Sequence, residues 1–135
     1  MDREICNVIC IKKNQERNAL IELTENDDVV VIKFSDGELV LEKEGDNYFE
    51  TLIMLREELE KKDIKLLCKG CCKNVYPSGM ILNMGVGRKA YTLIYGEQAK
   101  MNSLVDIFDS CSINEYATIE EQAEYFENWT LSLRR

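Results

Sequence analysis

The sequence predicts an α+β fold in which a mostly antiparallel sheet carries two amphipathic helices on one face. Several short apolar and β-branched runs precede a helical pattern, further strand-like runs follow it, and a second helical pattern comes last. Strands and helices in separate blocks are typical of α+β sheets rather than of alternating βα units. The length of 135 residues fits a single domain over residues 1–135.

The first part of the chain is rich in predicted strands. A polar turn is expected over residues 12–18, and Asp36-Gly37 indicates a hairpin between the two runs that flank it, because glycine accepts a positive φ. The four strand predictions share a run of apolar or β-branched residues and cover 5–11, 19–23, 29–34 and 38–43.

The first helix is predicted to begin after Asp46 or Asn47, since either side chain can cap a helix N-terminus. It is expected to end near Lys61-Lys62, whose charges suit the negative end of the helix dipole. Its buried face is predicted from positions spaced three and four residues apart, namely Tyr48, Phe49, Leu52, Ile53, Leu55, Arg56 and Leu59.

The second part of the chain has less regular patterns. Strands are expected over 63–68, 71–76 and 90–95, while 104–108 is ambiguous between helix and strand. Thr118 and Glu121 match a capping box and predict the start of the last helix. The inner face of that helix is predicted to consist of Ala123, Phe126, Trp129, Thr130 and Leu133.

Composition argues against catalysis. The chain has no histidine, which excludes Ser-His-Asp and Cys-His nucleophile pairs and every zinc site that needs imidazole. We therefore predict a protein that is not an enzyme. The net charge of −8 is uneven, being −9 over residues 1–60, +6 over 61–105 and −5 over 106–135.

The six cysteines permit more than one interpretation. Cys68 and Cys71 form a Cys-x-x-Cys pair, and zinc binding would follow if Cys6 and Cys10 met them across the sheet. Buried, unreactive thiols are the more common outcome for such residues in strands. We expect no metal and no cofactor. The chain shows no signal peptide and no long apolar run, so a cytoplasmic protein with reduced cysteines is expected.

The segment Gly85-Val86-Gly87-Arg88-Lys89 combines flexible backbone with two cations and could hold an anion. It matches neither a P-loop nor a dinucleotide-binding fingerprint, and a plain loop with a solvated basic flank is the simpler interpretation. Together with the positive charge of residues 61–105, it supports an alternative function: a small anion-, nucleotide- or nucleic-acid-binding module.

Carboxylates dominate the last part of the chain. Asp106 and Asp109 lie three residues apart, but a catalytic pair would need a pocket and a raised pKa, and caps or solvated charges are more common. Tyr116 and Tyr125 could supply aromatic anchors at an interface. An acidic patch that meets a basic partner is predicted on the last helix from Glu120, Glu121, Glu124 and Glu127, with a solvated face as the alternative.

Three stretches carry a resemblance to known proteins: residues 75–80, 84–91 and 104–109, which contain Tyr76-Pro77-Ser78-Gly79, Gly85-Val86-Gly87-Arg88-Lys89 and Leu104-Val105-Asp106-Ile107-Phe108-Asp109. They resemble small acidic bacterial proteins similar to the immunity proteins of polymorphic and contact-dependent growth inhibition toxins. The match covers about residues 66–110.

This resemblance implies a non-catalytic protein that binds and neutralises a cognate toxin domain. The expected partner is the C-terminal domain of a toxin. Many such toxins are basic nucleases, and opposite charge speeds association with an acidic inhibitor. Neither a membrane nor a nucleic acid is an expected partner. The residues predicted to contact the toxin are Tyr76, Arg88, Asp106, Asp109, Glu120, Glu121 and Glu124.

Overall fold

The computed structural model describes residues 3–83 and 85–134 and confirms the α+β class. Its larger sheet is antiparallel, with strand order β4-β3-β2-β1-β5. The strands are β1 (Arg3–Lys12), β2 (Gln15–Asn26), β3 (Val29–Ser35), β4 (Val40–Gly45) and β5 (Ile64–Leu67).

The first hairpin is tighter and longer than the sequence predicted. β1 and β2 pair from Arg3 with Thr24 to Lys12 with Gln15, which leaves a turn of two residues in place of the expected turn over 12–18. Lys13 and Asn14 both have positive φ, 55° and 60°, as a two-residue hairpin turn requires. Polar residues such as Gln15, Glu16 and Asn18 are therefore part of β2 because their backbones pair with β1, although their own strand propensities are low.

The predicted hairpin around Asp36-Gly37 is confirmed. Gly37 has a φ of 94°, and the Asp36 carboxylate accepts hydrogen bonds from the backbone N–H groups of Glu38 (2.9 Å) and Leu39 (2.8 Å). This local turn sets the register in which β3 and β4 pair.

The predicted first helix is also confirmed as α1 (Tyr48–Lys61). Asn47 caps it, and its side-chain oxygen accepts from the N–H of Glu50 at 2.9 Å. The helix packs on the inner face of the larger sheet, where alternate strand residues point toward it. The core formed in this way includes Val8, Cys10, Ile21, Leu23, Ile32, Phe34, Phe49, Leu52, Leu55 and Leu59.

A second, smaller sheet was not distinguished from the sequence. Its strands are antiparallel in the order β6-β7-β8, and they are β6 (Val75–Tyr76), β7 (Lys89–Thr92) and β8 (Leu104–Asp106). The strand prediction for 71–76 therefore holds only for its last two residues, because residues 69–71 form a short 3₁₀ turn. The ambiguous segment 104–108 begins as a strand.

The remaining helices belong to this smaller sheet. The short α2 (Gly79–Asn83) follows β6, and α3 (Ile119–Ser132) packs against β6 and against α1. The two long helices are thus neighbours, with α1 over the larger sheet and α3 beside the smaller one. Among residues 3–83 and 85–134, no helix combines the length and the apolar character needed to cross a membrane.

Candidate functional site

The N-terminus of α3 is fixed by hydrogen bonds to its own cap and to α1. The predicted capping box is confirmed: Thr118 Oγ1 accepts from the N–H of Glu121 at 3.1 Å, and the Glu121 carboxylate accepts from the N–H of Thr118 at 2.9 Å. The N–H of Ile119 donates to the Glu60 carboxylate at 2.8 Å. The start of α3 therefore has little freedom relative to α1.

A buried polar network holds the next turn of α3. Gln122 is 1% exposed, and its amide nitrogen donates to the carbonyl oxygens of Gly70, Cys72 and Val75 at 2.9 to 3.0 Å. Its amide oxygen accepts from the guanidinium of Arg56, which is 2% exposed, at 2.6 Å. Two amide hydrogens serve three acceptors, so at least one hydrogen is shared.

Arg56 completes this network from α1. Its guanidinium also donates to the carbonyl oxygens of Ala117 (2.9 Å) and Gly70 (3.3 Å), while its Nε has no hydrogen-bond partner among the described residues. A buried cation is costly unless polar groups surround it. Sequence reasoning placed Arg56 on the buried face of α1 but missed Gln122, which occupies the position expected for Ala123; Ala123 is exposed, so that assignment was wrong.

Aromatic side chains bind the rest of α3 to the smaller sheet and to the segment that follows β7. Phe126 stacks on Tyr76 with ring centroids 4.1 Å apart, and Trp129 donates its indole N–H to the carbonyl oxygens of Ile94 and Glu97 at 3.0 Å. Tyr76 also meets Phe49 edge-on, so its ring is half-buried between α1 and α3. Tyr76 therefore joins two parts of the core.

The outward side of α3 is acidic. Glu120, Glu124 and Glu127 are exposed, and none of them lies within 4.0 Å of a basic side chain in the described part of the chain. Their spacing of four and three residues places them along one stripe of the helix. Glu121 is exposed as well, but its carboxylate is engaged in the capping box, whose backbone hydrogen bond lowers its pKa.

Exposed apolar groups also lie on and around α3. Tyr95 is 51% exposed and stacks on Tyr125, with ring centroids 4.6 Å apart. Ile94 and Leu131 are 55% and 52% exposed. Helix α3 thus presents a stripe of carboxylates, and an exposed aromatic ring stacks on its Tyr125; aromatic residues are enriched at protein interfaces. We call Tyr95, Glu120, Glu124, Glu127 and Leu131 the α3 surface.

Arg88 and Asp106 meet on the other side of the smaller sheet. The guanidinium of Arg88 donates its Nε–H to Asp106 at 2.9 Å and makes a bidentate pair with Glu4 at 2.9 and 3.0 Å. It also lies over the ring of Phe108 at 5.3 Å. These bonds lower the pKa of Glu4, raise that of Arg88, and tie β1 to β8.

The glycine segment borders an open cleft of about 580 Å³ near this ion-pair cluster. Gly85, Val86 and Gly87 all have positive φ, from 50° to 75°. The cleft is lined partly by Tyr48, and burial raises the pKa of this tyrosine hydroxyl to about 12. Gly87 packs against the cap of α1, because a Cβ there would lie 3.0 Å from the Asn47 side chain. The segment thus supports the start of α1.

Acidic partners occupy half of the basic side chains in segment 61–105. Lys61, Lys69, Arg88 and Lys100 each pair with a carboxylate at 2.9 to 3.6 Å. Lys65 lies 6.0 Å from the centre of the Tyr116 ring. About half of the positive charge of this segment is therefore paired within the fold, which weakens its attraction for an external anion.

The predicted contact residues fall into separate places. Arg88 and Asp106 are together, Tyr76 lies between the helices, and Glu120 and Glu124 share the α3 surface. Asp109 is exposed, and its carbonyl oxygen accepts from the N–H of Lys69 at 2.7 Å.

The cysteines do not meet in the way that a zinc site across β1 would require. Cys68 and Cys71 are fully buried with sulfur atoms 3.7 Å apart, but their other thiol neighbours are Cys72 and Cys111. Cys6 lies instead beside Glu4 at 3.7 Å. Within residues 3–83 and 85–134, no group of three or more cysteine or acidic residues has an arrangement suited to a metal ion.

No family model matches the chain, and a comparison with curated protein sequences gives no match either.

Proposed function

We propose that this protein is an immunity protein, a non-catalytic inhibitor that binds a cognate bacterial toxin domain in the cytoplasm. The observation that carries the proposal is the α3 surface, where three exposed carboxylates without basic partners among the described residues line the helix on which the exposed Tyr95 stacks. Such a surface suits a basic protein partner, because unpaired charges attract the partner and the aromatic ring provides contact area.

Rigidity of the supporting structure favours the same function. The capping box, Gln122 and Trp129 hold α3 at its start, in its first turns and near its end. A surface that is already ordered loses little conformational entropy on binding, which strengthens the complex. The net charge of −8 would add long-range attraction to a basic toxin domain.

The experiment uses the C-terminal domain of the toxin encoded next to this chain. We expect Glu120→Lys, Glu124→Lys and Glu127→Lys together to slow association about 10- to 100-fold at low salt and to weaken its dependence on ionic strength. Association and dissociation rates would be measured by biolayer interferometry at two salt concentrations, after circular dichroism has shown that the variant is folded.

A matched control separates the α3 surface from net charge. Glu16→Lys, Glu42→Lys and Glu44→Lys make the same charge change at exposed residues of the larger sheet. Equal slowing by both triple variants would show that only net charge matters. A neighbouring gene without a toxin-like domain, or salt-sensitive binding of an oligonucleotide instead, would overturn the proposal.

A further inference from the structure

Four cysteine side chains converge where residues 68–72 meet residue 111. The thiols of Cys72 and Cys111 both contact the carbonyl oxygen of Cys68, at 3.9 and 3.4 Å. The backbone keeps them there, because Cys68 bridges to Ser110 and the N–H of Cys111 donates to Leu67 at 3.3 Å. Two thiols from distant parts of the chain thus share one acceptor.

Their exposure differs. Cys68, Cys71 and Cys72 are 0% exposed, whereas Cys111 is half-buried at the edge of the cluster. An oxidant in solution therefore reaches Cys111 first. The Cys68 and Cys71 thiols contact each other at 3.7 Å, whereas the thiols of Cys72 and Cys111 meet at the Cys68 carbonyl oxygen.

We propose that Cys111 and Cys72 are an oxidation site, which hydroperoxides convert to an intramolecular disulfide. The Cys111 thiolate attacks the peroxide, the O–O bond breaks, and Cys111 becomes a sulfenic acid while an alcohol or water leaves. The sulfur of Cys72 then attacks that of Cys111, so that the S–O bond breaks and water leaves with the Cys72 proton. In sum, two thiols and one hydroperoxide give one disulfide, one alcohol or water, and one water.

The reaction is expected to be slow at neutral pH. Hydrogen bonding to Cys72, together with burial, raises the pKa of Cys111, so little of the reactive thiolate is present. The rate should therefore rise about tenfold per pH unit in the range where the thiolate fraction grows.

The test treats the purified protein with hydrogen peroxide at pH 7 and pH 9, blocks free thiols by alkylation, and maps peptides by mass spectrometry. We expect loss of two of the six thiols and a cross-linked peptide joining Cys72 to Cys111, formed faster at pH 9. Cys111→Ser should abolish the cross-link, whereas Cys6→Ser, at a half-buried thiol outside the cluster, should leave it intact.

Several outcomes would overturn the proposal. These are a disulfide between Cys68 and Cys71, oxidation of Cys111 to sulfinic acid without a cross-link, and no loss of thiols. Cys72→Ala provides a further check, since Cys111 should then progress to sulfinic acid in a protein shown to be folded. All of these measurements count thiols and do not depend on toxin binding.

Discussion

The two long helices are held in place by different kinds of interaction. α1 packs on the larger sheet through apolar side chains such as Ile21, Phe34 and Leu55, all 0% exposed. Among the described residues of α3, Gln122 is the buried one. Hydrogen bonds to Arg56 and to backbone carbonyl oxygens of residues 70–75 hold it in place. Apolar packing tolerates small shifts, whereas this polar junction is satisfied in one arrangement only. The following predictions test that difference, beginning with the largest effect.

Arg56→Ala should lower the free energy of unfolding by about 4 kcal/mol, because it leaves a cavity and removes donors from buried oxygens. The affected acceptors are the carbonyl oxygens of Gly70 and Ala117 and the amide oxygen of Gln122. Urea unfolding followed by circular dichroism would measure the change.

Arg56→Met separates the effect of the cavity on stability from the effect of the lost hydrogen bonds. Methionine fills most of the space but donates nothing, so the variant should still lose about 2 kcal/mol. Amide hydrogen exchange should show the loss of protection mainly in α3. Wild-type stability of this variant would mean that packing, and not the polar network, holds α3, and the contrast between the helices would disappear.

In the larger sheet, a polar contact of comparable kind is made by the buried Asp36. Although burial alone raises the pKa of this carboxyl, the N–H groups of Leu39 and Glu38 and the charge of Lys12 lower it below its usual value. A lowered pKa in the folded state stabilises the protein above the unfolded pKa of about 4, and this contribution is lost as the pH falls through the folded value.

Asp36→Ala should therefore cost about 2 kcal/mol at pH 7 and progressively less as the pH falls from 4 toward 2. Urea unfolding at pH 7 and at several pH values between 4 and 2 would show it. Asp109→Ala, at an exposed carboxylate, serves as the control and should change stability little at any of these pH values. An equal loss at all of them would show that the charge of Asp36 is not what holds the turn.

The smallest effect is expected at the start of α3. Thr118→Ala removes the side chain that accepts from the N–H of Glu121 and should cost about 1 kcal/mol, while Thr118→Ser should restore most of it. Thermal unfolding of the three proteins would measure both changes. Equal melting temperatures would mean that the bonds of Gln122 and of Glu60 are sufficient to hold this end of the helix.

The same contrast explains what could be predicted from the sequence. The hairpin at Asp36-Gly37, the cap at Asn47 and the apolar face of α1 follow from local patterns, and all three are confirmed. The smaller sheet could not be predicted, because strands of two and three residues such as Val75–Tyr76 carry no periodicity. The place of Gln122 depends on carbonyl oxygens that come together only in the folded chain.

The sequence predicted the exposed carboxylates of the candidate site but not the contacts between distant segments. The carboxylates Glu120 and Glu124 were predicted on an exposed helix face, and the structure places them there. Arg88 was predicted as a contact residue, but its pairing with Glu4 depends on a strand more than 80 residues away. The neighbour relation between Cys72 and Cys111 depends in the same way on the meeting of distant segments.

The position of Gln122 affects which residues of α3 can change during evolution. Because this residue and the capping box anchor α3 from inside, the outward positions 120, 124 and 127 contribute little to folding. Substitutions there are expected to change stability by no more than about 0.5 kcal/mol. Under the proposed function, homologous chains could acquire new binding specificities through substitutions at a few positions of one helix while the scaffold beneath stays constant.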